Sequence, residues 1–491
     1  MGEKTWLGTW CLGAALVLGA LGDMLLRGTP WGINVVLWLA ALVVLMALPM
    51  ALRRISWTGG GRWMLLAALL FAAFVAWRDS TFLAFLNVCA ALASISLAAV
   101  WGRAGRLLPR GVSEYGLACL YTGAFTSAGP ISTAVSDIEW DEVSSGGSRK
   151  PILAVLRGLL IAAPLLFVFG GLLIAADAVF EEMVLRFFDF DAAQVFGHAF
   201  LVLFLAWISA GYLRVALVEE NAPNFSMRRP SLVSLGVVES SVVLGLLNAL
   251  FLAFVVVQAR YLFGGDQRVA AGLTYAEYAR RGFFELVAVT ALALSVLLLA
   301  HWLHTTDNRL QTRLFNSLAA MMVALVSVIM VSALWRMHLY YVQFGLTELR
   351  LYATAFMLWL AVILALFLAT VLRDRRELFG AWTLASGFAA ILILNLINPD
   401  ALIARANIER MENGKRFDAY YLTLLSADAA PVIVKALPEI GEQNLAPDYT
   451  LEQAFLDRWK SDGGDDWRTW NLSRSKAQKL AETHASDRSS I

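Results

Sequence analysis

Leu273–Glu285 reads LTYAEYARRGFFE, and Leu286–Leu299, which follow it, read LVAVTALALSVLLL. The second stretch decides the class of fold. Extended to Phe283 and Leu303, it is an apolar run of about 20 residues, the length needed to carry a helix across a bilayer core. The polar run before it decides where to look for a site. At helical spacing Glu277, Arg281 and Glu285 fall on one face and can form a charge ladder. Glu285 then enters the apolar run beside Phe283 and Phe284. A carboxylate at membrane depth costs roughly 2.5 to 3.5 kcal/mol and persists only beside a partner or water.

Composition supports the same class. Of 491 residues 59% are hydrophobic and 16% charged, and mean hydropathy is +0.66. This is a membrane protein composition. A net charge of +1 without a concentrated basic surface excludes a nucleic-acid binder. Cys11, Cys89 and Cys119 lie in apolar sequence without CxxC spacing, so they offer neither a zinc site nor a disulfide framework.

Working outward, apolar runs recur along the chain and read as about eleven spans of an all-α polytopic bundle. Four fall within residues 1–110, at Trp6–Leu26, Trp31–Leu52, Trp63–Trp77 and Thr81–Trp101. The first is not a signal peptide, because no A-x-A pattern follows and a second full span starts four residues later. Residues 111–151 mix Gly, Ser, Thr and acids and read as a cytoplasmic loop with one amphipathic segment. Seven more spans form a core bundle over 152–398: Ile152–Ala176, Phe196–Val218, Leu235–Val257, Phe283–Leu303, Leu314–Trp335, Leu351–Leu372 and Leu378–Ile397. Pro164 predicts a kink in the first of these.

Loop charges orient the bundle. With Arg214 counted at the exit of its span, the amino terminus and the alternate loops on its side carry 17 Lys and Arg, against 9 on the other side. The positive-inside rule then places the amino terminus in the cytoplasm of a bacterial inner membrane and the tail outside.

Beyond Pro399 the composition turns charged. Apolar residues three and four apart, as in Ala419, Tyr420, Leu422 and Leu425, predict a small soluble helical domain over 399–491 leaning on the membrane surface. Pro431, Pro438 and Pro447 break it into short pieces, and Trp459, Trp467 and Trp470 supply aromatic anchors.

Several phrases resemble a bacterial multi-pass family. They are ADAVF at 176–180, LGLLNALFLAFVVVQARYLFGG ending at 265, LTYAEYARRGFFELVAV at 273–289, LNLINPDALIARANIER at 394–410 and DWRTWNLSR at 466–474. The family is that of the domains of unknown function numbered 4173 and 4153. The resemblance implies a polytopic membrane fold over roughly residues 150 to 475. It implies no catalytic residue, substrate or cofactor.

Motifs of reaction chemistry are missing. The sequence has no GxxxxGK[ST], HExxH or GxSxG. His301 and His304 form an HxxH at the end of a span, read as interfacial polar residues rather than metal ligands, since a metal needs more ligands and a second shell. No cofactor or metal is expected. The remaining signal is charge inside or beside spans: Glu239, Glu285, Arg157, Asp177, Arg281 and Glu277 are the candidate polar-site residues. Short carboxylates reach the headgroups poorly, which favours interior partners for Glu239 and Glu285, whereas Arg214 and Arg336 read as packing or snorkelling groups.

Three functions fit such a chain. A regulatory, sensory or partner-binding protein uses the bundle as scaffold and the tail to meet a protein partner, with the lipid bilayer as its other partner. It requires no reaction motif. A secondary transporter would use Glu239, Glu285 and Arg157 as an ion or substrate site, and should show a repeat between halves, which is not evident. An intramembrane transferase would need an acidic dyad, for which Asp177 with Glu181 or Glu182 is the nearest match.

Overall fold

The computed structural model describes residues 1–53, 60–103, 107–143, 192–219, 236–263, 283–303, 309–373, 375–415, 418–446, 449–460 and 466–489, with scattered positions between 158 and 183 and at 223 and 225. The all-α expectation holds. The only strands among the described residues are the short antiparallel pair Asn444–Ala446 and Tyr449–Thr450. The chain divides into two compact units. The first holds residues 1–108, 113–225 and 461–475, and the second holds residues 109–112, 226–460 and 476–491.

The first unit contains α1 (Glu3–Leu26), α2 (Ile33–Arg53), α3 (Gly61–Trp77), α4 (Thr81–Trp101), α5 (Val112–Ser132, from Ser113 on) and α6 (Ala192–Leu217). Helices α1 and α6 pack most intimately and run antiparallel, since Gly19 meets Val202 and Ala206 while Asp23 reaches His198. Small residues allow this approach. A Cβ on Gly19 would stand 2.8 Å from the Ala206 Cβ, so the two backbones come as close as the glycine permits. Indole donors tie neighbouring spans: Trp10 Nε1 donates to the Leu45 carbonyl and Trp38 Nε1 to that of Leu18, each at 3.0 Å. The turn between α1 and α2 is locked by buried Asn34. Its amide donates to the carbonyls of Leu25 and Gly28, and its Oδ1 accepts the N–H groups of Gly32 and Val35.

The second unit contains α7 (Val237–Phe263), α8 (Phe283–Leu303), α9 (Arg309–Phe344), α10 (Glu348–Thr370) and α11 (Arg376–Ile397). Leu244, Leu297, Phe315, Met322, Val326 and Phe367 fill its apolar centre, each almost wholly buried. Asn398 then adopts a left-handed conformation (φ 58°), ends α11 and caps α12 (Pro399–Glu412) by accepting the Ala401 N–H. Pro399 occupies the first helical position, where a missing N–H costs nothing. Short helices α13 (Ala419–Leu424), α14 (Ala430–Ile440) and α15 (Leu451–Trp459) and the latter part of α16 (Leu472–Ser489) close a separate core around Ile403, Leu422, Ile433, Leu437 and Phe455. Thr450 and Gln453 form a capping box at the start of α15. Residues 461–475 of the tail belong to the first unit, and the rest of it shares the second unit with α7 to α11.

Nine described helices are long and apolar enough to cross a membrane, and α3 is a shorter apolar helix of 17 residues. These ten match ten of the eleven expected runs. The other, Ile152–Ala176, lies largely outside the described residues, with Arg157 and Pro164. Helix α9 differs most from expectation, running 36 residues where the apolar run alone suggests Leu314–Trp335. At 1.5 Å per residue that is about 54 Å, well beyond a bilayer core. The extension is held from outside its own sequence, because Arg410 on α12 donates to the carbonyls of Tyr341, Val342 and Gln343 and so occupies the end of α9.

Candidate functional site

The sequence-selected charges do not form one constellation among the described residues. Glu277 and Arg281, and with them the ladder into α8, lie outside the described residues, as does Arg157. Glu239 and Glu285 are both exposed. Each stands in the first turn of its helix, α7 or α8, where the helix dipole favours a carboxylate and the side chain need not be buried. Asp177 is also exposed, and its Oδ1 accepts the Val179 N–H at 2.8 Å. His301 is buried edge-on against Phe315 and Phe367, a core position instead of the interfacial one expected. His304 lies outside the described residues.

Three other polar groupings are built more completely. In the first unit a π-helical turn, Thr133–Asp137, follows α5 and delivers Asp137 to Arg214 near the end of α6. Arg214 Nε donates to Asp137 Oδ2 at 2.6 Å and its Nη2 to Oδ1 at 3.5 Å, while Glu219 lies 3.6 Å from Nη1. The side chains of Arg214 and Asp137 are 15% and 10% exposed, so this pair belongs to the buried class, in which losing one partner is costly. Arg214 is packing glue, as expected. Beside it a cavity of about 290 Å³ is lined by Glu3, Lys4, Asp137, Glu139 and Glu142. No group of three or more His, Cys, Asp or Glu among the described residues is placed to hold a metal.

At the other end of α1 the segment Asp466–Arg474 straps the helix ends together. Arg468 is held by Asp466, and its Nη1 donates to the Met24 carbonyl at 2.6 Å. The Trp470 carbonyl accepts the Ile33 N–H at 2.9 Å. Asn471, 2% exposed, donates from one amide nitrogen to the carbonyls of Val75 and Arg78, both at 2.9 Å, and Ser473 Oγ donates to that of Trp77. Arg474 reaches the carbonyls of Trp31 and Thr469 and lies 3.4 Å from Asp79. The strap thus supplies donors to the orphan carbonyls at the ends of α1 and α3. Hydrogen bonds from the Arg468 side chain and N–H hold the Asp466 carboxyl below the usual range. Next to the strap, His198 bridges Asp23 at 2.6 Å and Arg27 at 2.9 Å.

In the second unit Asp400, fully buried in the first turn of α12, accepts the N–H of Ser426 at 3.2 Å and also its hydroxyl. Glu348, at the start of α10, hydrogen-bonds to the same carboxyl, and its N–H donates to Tyr421 Oη at 2.9 Å. Burial pushes Asp400 up from the usual carboxylate range and the Asp428 charge adds to it, while the Ser426 bonds oppose both. A proton shared with a second carboxyl group relieves the repulsion between them.

A helical bundle with this many apolar spans is an integral membrane protein. The family model described as Domain of unknown function (DUF4153) matches residues 65–436, about three quarters of the chain, and the chain belongs to that family. The strap lies beyond the matched residues. No curated protein and no solved structure matches the chain.

Sequence reasoning missed these three groupings because each joins residues far apart in the chain. The signals that could have found them were local. DWRTWNLSR places Trp, Asn and Arg in a polar tail, Asn398-Pro399-Asp400 places an acid in a capped first turn, and Arg214 stands near a span exit without a nearby acid on its own helix.

Proposed function

We propose that this is a bacterial inner-membrane protein, a membrane-embedded regulatory or scaffolding protein that presents its folded tail to a protein partner outside the cytoplasm. The observation that carries the reading is the tail itself, which has its own apolar core and still exposes Tyr420 and Leu424 one turn apart on α13. Exposed aromatic and aliphatic side chains side by side on an ordered helix suit a recognition surface. Loop charges, which put the amino terminus inside, support the orientation.

A photo-crosslinking amino acid placed at Tyr420 or Leu424 in growing cells tests this. A single discrete adduct from both positions and none from Lys435, exposed on α14 of the same domain, is the expected result. Identical patterns from all three positions, or no adduct from any, overturn it.

A further inference from the structure

Helix α5 carries the observation. From Tyr115 to Ser136 the chain has no charged side chain. One face, Tyr115, Ala118, Thr122, Thr126 and Gly129, is buried. Its contacts with the spans fall near their ends on one side: Tyr115 stands edge-on to Trp101 at the end of α4, and Trp207 Nε1, ten residues before the end of α6, donates to the Ser127 carbonyl at 2.8 Å. Thr122 Oγ1 lies 3.3 Å from the Ser96 carbonyl on α4. A Cβ on Gly129 would meet the Gly211 Cα on α6 at 2.6 Å, and a Cβ on Gly211 would overlap the Thr126 carbonyl. Just past the helix, a Cβ on Gly8 of α1 would meet Thr133 at 3.4 Å.

Ser96 stands five residues before the end of α4, Gly211 six before the end of α6, and Gly8 five after the start of α1. These ends share one side, since α1 and α6 are antiparallel and Arg103, just past α4, donates to the Leu217 carbonyl. Five or six residues of helix are about 8 to 9 Å. Helix α5 therefore crosses the flanks of three spans within about 15 Å of their ends on one side and follows none of them.

Its outward face is Leu120, 71% exposed, with Phe125 and Ile131. A helix lying on water would carry charge on that face. Here the face is uncharged and continues the exposed apolar surface of α4, where Phe85 and Leu92 point outward.

We propose that α5 is a re-entrant helix bedded in the acyl chains of the leaflet on the amino-terminal side, with Leu120, Phe125 and Ile131 in contact with lipid. The segment that its Gly, Ser and Thr content marks as a cytoplasmic loop is thereby assigned to the membrane as far as the π-helical turn, where Asp137 returns to Arg214. Backbone polarity poses no obstacle, because a helix satisfies its own N–H and C=O groups.

Spin labels on the full chain in phospholipid vesicles test it. Leu120→Cys and Phe125→Cys are made with Cys89→Ser and Cys119→Ser, leaving buried Cys11, and Ile131→Cys gives a third position should one variant fail to assemble. Leu92→Cys reports lipid and exposed Glu139→Cys reports water. The expected result is relaxation by oxygen exceeding that by a water-soluble nickel chelate at all labelled α5 positions, as at residue 92. Nickel relaxation like that at residue 139 overturns the proposal. So does low access to both reagents, which would mean that protein covers the face.

Discussion

Asn471→Ala should release the strap, and the loss can be worked from the contacts. The wild-type amide nitrogen donates to two carbonyls, Val75 and Arg78, and its Oδ1 accepts the N–H groups of Ser473 and Arg474 as the cap of α16. Losing a cap costs about 0.5 to 2 kcal/mol. Each of the two buried hydrogen bonds adds about 1 kcal/mol, more where the carbonyl finds no water. The sum is roughly 2.5 to 4 kcal/mol, enough to raise the opened fraction of the strap on the order of a hundredfold. Native-state hydrogen exchange over 466–474 in detergent reads this directly, and limited proteolysis in the same range supports it. Asn471→Asp separates the two contributions. It keeps the capping oxygen and turns an oxygen toward the Val75 and Arg78 carbonyls, so it should open the strap at least as much as Ala does. If both variants exchange like wild type, the strap is not held by this side chain and the lock described above is wrong.

Three further outcomes follow from the same geometry. Arg214→Ala strands Asp137 in a buried site and should cost roughly 3 kcal/mol, whereas Arg27→Ala, at a 35% exposed side chain, should cost at most about 1 kcal/mol; thermal unfolding in detergent compares them. Asp400 has a raised native pKa, so it contributes stability that is complete below its unfolded value of about 3.9 and is lost as pH rises through the native value; exchange protection of α12 should fall as pH rises above 4 in the wild type, and Asp400→Asn should flatten that dependence. Reporter fusions should read as extracytoplasmic at Asp400 and cytoplasmic at Gly146, and a cytoplasmic signal at Asp400 would contradict the loop-charge argument.

What the sequence made legible follows from what each feature depends on. Crossing a bilayer is a property of about 20 consecutive residues, so runs such as Thr81–Trp101 and Phe283–Leu303 could be read to within a residue. The same holds for the tail, whose Ala419–Leu422 spacing belongs to one short helix. Side-chain partnership does not depend on neighbours in the chain. Asp137 and Arg214 are 77 positions apart, and Asn471 stands 396 from Val75. Intramembrane cost was therefore assigned to Glu239 and Glu285 from depth alone, although depth measured along an apolar run does not say whether a first-turn carboxylate faces out. Helix α5 shows the converse. Its Gly, Ser and Thr content reads as loop because hydropathy averages over all sides of a helix, yet those small residues sit on both faces. The buried ones let α5 approach α4 and α6, and the exposed ones leave Leu120 and Phe125 to set the character of the surface. A loop with one amphipathic segment was legible there, but a polar average hid that the helix carries no charge beyond its first turn. The discriminating feature was the complete absence of charge from Tyr115 to Ser136, which matters more for membrane residence than the mean does, since one ionised side chain outweighs several hydroxyls.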